Sequence, residues 1–125
     1  MTEAIPLQAF DALLHSQNIG MVCRALNMYQ VAAAYTQVSG GNPLEPMADE
    51  VRRVALAILS RPPVEAEADV PAGFDHVSAL NVLTVLAELD DLELITGVLE
   101  RTTDDQIRAV ASLAAETASR KATGV

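Results

Sequence analysis

Residues 18–38 read NIGMVCRALNMYQVAAAYTQV, and they commit the chain to helix packed on helix. Ile19, Val22, Cys23, Leu26 and Ala33 recur at three- and four-residue spacing and form one apolar stripe. Met21, Ala25, Met28, Ala32 and Tyr35 form a second stripe beside it. Only Arg24, Asn27, Gln30 and Gln37 interrupt them, so the segment predicts a helix that is apolar around most of its circumference. Such a helix is expected at the centre of a bundle, or completed by a partner chain. Gly40-Gly41 follows it as a C-terminal cap, a place where glycine's tolerance of the left-handed conformation is useful.

The same periodicity extends in both directions. Upstream, Leu7, Phe10, Leu13 and Leu14 predict a helix from Pro6 to about Ser16, and Ser16-Gln17-Asn18 offers the cap or break before the next. Downstream, Asn42-Pro43-Leu44-Glu45-Pro46 reads as a turn. A third helix to about Ser60 then carries Met47, Val51, Val54, Ala55 and Ile58 on one face. Its first turn holds Asp49 and Glu50 and Arg61 lies near its end, the order that a helix dipole favours. Residues 61–76, RPPVEAEADVPAGFDH, have proline and acids but no apolar period, and are expected as a long acidic loop.

The last third is densely helical. Asp90-x-x-Glu93 and Thr103-x-x-Gln106 match the capping-box spacing and predict helices at 78–89, 91–101 and 104–118, with a frayed tail from Ser119. Val85, Leu89, Leu92, Ile95 and Leu99 also form an unbroken stripe, so one helix over 78–101 is the rival; the break is preferred. Gly97 inside this pattern suggests a close helix crossing. The expected fold is therefore all-α: one compact domain of five or six helices with a proline-rich acidic loop at about 61–76.

Composition agrees. Of 125 residues, 21 are Ala, 15 Leu and 13 Val, against two Phe, two Tyr and no Trp. Small aliphatic side chains with high helix propensity predict closely approaching helices and a thin core. One cysteine cannot make an internal disulfide, and no cationic leader precedes an apolar run. Apolar stretches break well short of the ~18 residues that a membrane span needs. A cytoplasmic protein without membrane association is expected. Seven Arg against one Lys, with abundant Ala, suggests a GC-rich bacterial or phage coding sequence.

Chemistry-bearing patterns are sparse. Cys23, His15 and His76 are isolated, with no CxxC, HxxxH or HExxH spacing, so no metal site is expected. The pairs Asp49-Glu50, Asp90-Asp91 and Asp104-Asp105 fall at predicted helix starts, where the dipole accounts for them. Cys23 lies in an apolar stripe, which suits an inert packing thiol, and no phosphate loop is present. No cofactor, no catalytic residue and no enzymatic activity are expected.

The net charge of −9 opposes direct contact with nucleic-acid phosphates. A helix-turn-helix over residues 27–60 would open its second helix on Asp49 and Glu50, the wrong sign for the groove. Charge is concentrated late: residues 61–125 carry twelve acids and five bases. Glu65, Glu67, Asp69, Asp75, Glu88, Asp90, Asp91 and Glu93 would form a negative field able to steer a basic partner or to mimic nucleic-acid charge. The apolar excess points to protein contacts. The expected function is a non-enzymatic interaction module, a small regulator, adaptor or assembly component, self-associating through apolar helix faces with a dimer as first choice. Met21 and Met28 suit an adaptable contact. Phe74 is a candidate anchor, Val85 a candidate apolar contact, and Asp90, Asp91 and Glu93 the candidate acidic contact. The alternatives are an acidic inhibitor of a basic nucleic-acid-binding partner and, behind it, a helix-turn-helix regulator.

Overall fold

The computed structural model describes residues 7–34, 44–65 and 71–122. Six α-helices account for most of them, with no strand among the described residues: α1 (Leu7–Leu14), α2 (Ile19–Ala34), α3 (Ala48–Leu59), α4 (Phe74–Leu86), α5 (Leu92–Arg101) and α6 (Asp105–Ala122). Short 3-10 turns at Glu45–Met47 and Leu89–Asp91 lead into α3 and α5. The fold is the all-α bundle that the periodicity predicts. No helix is long and apolar enough to cross a membrane among the described residues.

The centre of the bundle is α4, not α2. It packs against α2, α3 and α6, while α1 leans on α2 and α5 on α6. Seven residues of α4 are buried, from Asp75 to Leu83, around most of its circumference. On α2 only Val22, Cys23, Ala25, Leu26 and Tyr29 are buried, and Met21, Arg24, Val31 and Ala34 face solvent. The sequence reading misplaces the centre because alanine and methionine count as apolar. Alanine favours the helical backbone whether or not it is covered, so an alanine-rich wheel is weak evidence of burial on every side.

The thin core is borne out. Ala25, Ala55, Ala79, Ala111, Ala114 and Ala118 are all fully buried. On α6 they make the stripe Ile107, Ala111, Ala114, Ala118, which lets α4 approach closely. Leu26, Leu44, Ile58, Leu80, Leu83 and Ile95 fill the remaining volume, with Phe10 and Tyr29 as the largest buried side chains. Each such residue contributes about 1.5–3 kcal/mol by leaving water.

Helix ends are set by short polar side chains. Asn18 Oδ1 accepts from the Gly20 N–H at 2.9 Å and caps α2, and Ser16 Oγ accepts from Asn18 N–H at 3.0 Å. At α6 the cap is Asp104, not Thr103: its Oδ1 accepts from the N–H groups of Gln106 (2.8 Å) and Ile107 (3.1 Å). The helix runs past Ala118 to Ala122 rather than fraying from Ser119. The α4–α5 break is real. Leu86 ends α4, Ala87 turns extended with ψ 139, and the stripe Val85–Leu89–Leu92 is divided between a helix, a 3-10 turn and another helix. The turn is closed two residues earlier than the Asp90-x-x-Glu93 spacing suggests, as Glu88-x-x-Asp91, with Asp91 Oδ2 accepting from the Glu88 N–H at 2.8 Å. Gly97 marks no close crossing, since a Cβ there would meet only the Arg101 side chain.

The acidic loop is shorter than expected, because α4 starts at Phe74. Its described ends are clasped together at that point. Gly73 N–H donates to Val64 O at 2.9 Å, and Val64 N–H donates to Asp75 Oδ1 at 3.2 Å. His76 Nε2 pairs with Arg61 O at 2.9 Å. Asp75 and His76 are therefore buried structural groups, and Asp75 leaves the expected negative field. The expected cap at Gly40-Gly41, the extension of α2 to Val38, and Glu67 and Asp69 lie outside the described residues.

Candidate interaction surface

The candidate acidic residues separate in space. Asp91 is 4% exposed, and its carboxylate receives a two-pronged contact from Arg52, Nε to Oδ2 and Nη2 to Oδ1, both 2.8 Å. With the Glu88 N–H also donating to it, the buried charge is matched from two directions. The contact holds the Arg52 guanidinium protonated even more firmly than usual, first through these hydrogen bonds. Asp91 is thus turned inward, whereas Asp90 and Glu93 on either side of it are exposed.

Asp90 belongs to a cleft of about 520 Å³ between the start of α3 and the turn after α4. Glu45, Asp49, Glu88 and Asp90 supply four carboxylates, and Ala48 and Leu86 its apolar lining. Arg52 also lines it but is neutralised by Asp91. The buried Leu44 and Tyr29 position the near wall, with Tyr29 Oη donating to Glu45 Oε2 at 3.3 Å. Asp49 sits in the first turn of α3, as the dipole argument expects. Glu50 points elsewhere, to His15 Nε2 at 2.9 Å and to Arg53. No group of three or more His, Cys, Asp or Glu able to hold a metal occurs among the described residues.

The apolar candidates are dispersed as well. Met21 is 38% exposed on the outer face of α2, where Val31 is 50% exposed. Met28 is half-buried against the core, and Phe74 is half-buried as the first residue of α4 rather than free in a loop. Val85 is 41% exposed at the end of α4. Two leucines that the sequence does not mark as contact candidates are exposed as well. Leu89 is exposed in the turn just after α4, and Leu113 is exposed on α6. Thr117 Oγ1 donates to Thr84 O at 2.7 Å, a bond between α6 and α4, and also meets Leu113 O within its own helix at 3.2 Å.

Cys23 is fully buried between α2 and α4, beside Ser78 and Asp75. Burial pushes its thiol pKa up, against the smaller opposing effect of Ser78. The Ser78 hydroxyl is the one buried side-chain polar atom without a well-formed hydrogen bond among the described residues. His15 lies away from Cys23 at the surface, engaged by Asp11 and Glu50. A protonated thiol sealed in the core is not an activated nucleophile.

The sequence reading missed Arg52 as a structural partner, although one signal was available. Arg52, next to Val51, lies on the flank of the apolar stripe of α3, where a half-buried cation favours a counter-charge within reach. Comparison with protein-family models, curated proteins and solved structures finds no match to this chain.

Proposed function

We propose that this protein is a non-enzymatic interaction module, a small regulator, adaptor or assembly component, that self-associates through apolar helix surface in the cytoplasm. The observation that carries this reading is the exposure of Val85, Leu89 and Leu113 at 41%, 49% and 55%, at the end of α4, in the turn after it and on α6. Covering such side chains stabilises an association by roughly 25 cal/mol per Å² of apolar surface removed from water. The test is sedimentation equilibrium of the wild type beside Val85→Asp and Leu89→Asp. Both variants should keep the wild-type helix content and a cooperative melt, because neither side chain is in the core; the midpoint itself shifts with any loss of assembly. A dimer that dissociates in the variants supports the reading; an unchanged state of assembly in folded variants overturns it.

A second reading, favoured by the four-carboxylate cleft, is an acidic inhibitor that occupies the nucleic-acid site of a basic protein. Charge reversal at Asp49, Glu88, Asp90 and Glu93 should then abolish binding to such a partner, and salt should weaken it. Asp91 stays out of that set, since its reversal would place a lysine against Arg52 inside the fold. The helix-turn-helix reading has least support, because the first turn of α3 is acidic and Arg52 is already paired.

A further inference from the structure

We draw no further inference here: the strongest candidate, the acid-lined cleft between the start of α3 and the turn after α4, is a cluster of carboxylates, and nothing in the structure shows what fills it.

Discussion

Arg52 and Asp91, 39 residues apart in sequence, share two hydrogen bonds of 2.8 Å, and these tie α3 to the turn that separates α4 from α5. The carboxylate is buried and the guanidinium remains about one-third exposed. The relationship does two jobs. It allows the chain to break where a continuous apolar stripe would have carried a helix onward. It also withdraws one cation and one acid from a surface that otherwise collects carboxylates.

Removing one partner strands the other. Arg52→Met leaves the Asp91 charge buried with only the Glu88 N–H, and Asp91→Ala leaves that N–H without its acceptor. Each change is expected to cost about 2–3 kcal/mol, below the range for fully buried pairs because water reaches Arg52. Urea midpoints at neutral pH check this. The double variant should lose less than the sum of the singles, since the two side chains share one interaction.

Two glycines separate backbone strain from helix propensity. Gly73 has φ +75°, and a Cβ there would lie 3.1 Å from Ile107 Cδ1. Gly73→Ala should therefore destabilise by about 1–2 kcal/mol. Gly97 is in mid-helix, and its added Cβ meets only the mobile end of Arg101. Gly97→Ala should be neutral or stabilise by up to about 1 kcal/mol. Opposite shifts in thermal midpoint are the expected result.

Cys23 should resist modification until the protein opens. A disulfide reagent that labels the urea-unfolded chain at once should label the native chain at the rate of opening of the α2–α4 interface. The linkage has a definite sign. Burial raises the folded pKa, so the folded state keeps its proton where the unfolded thiol, near pH 8.5, releases it. Stability should be constant below that value and fall as pH rises above it. Cys23→Ala should flatten this alkaline limb in denaturant melts taken from pH 7 to 10.

Asp75 and Glu65 lie in the same acidic stretch but should behave differently. Asp75 is buried and accepts the N–H groups of Val64 and His76, so Asp75→Ala should cost about 1–3 kcal/mol. Glu65 is exposed, and Glu65→Gln should stay within about 0.5 kcal/mol of the wild type. Calorimetric midpoints of the two variants provide the comparison.

What could be read without the structure was whatever depends on neighbours three or four residues away. Helix type, the α2 cap at Ser16-Asn18, the start of α3 and the small-residue core all follow from local spacing and propensity. The break near residue 90 was also legible, though its hydrogen bonding was not, because Asp91 answers to Arg52 as well as to its own turn. Tertiary structure alone decided which helix sits at the centre. An alanine-rich α2 and a Val/Leu-rich α4 look equally apolar as wheels, and only packing reveals that α2 leaves Met21 and Val31 in water. It also decided the fate of the acids. A carboxylate's sequence position says nothing of whether a cation or backbone N–H from a distant segment will meet it. Asp75 and Asp91 therefore went inward while Asp49, Glu88 and Asp90 gathered around one cleft. Charge is local in sequence, but its neutralisation is set by contacts that only the folded chain makes.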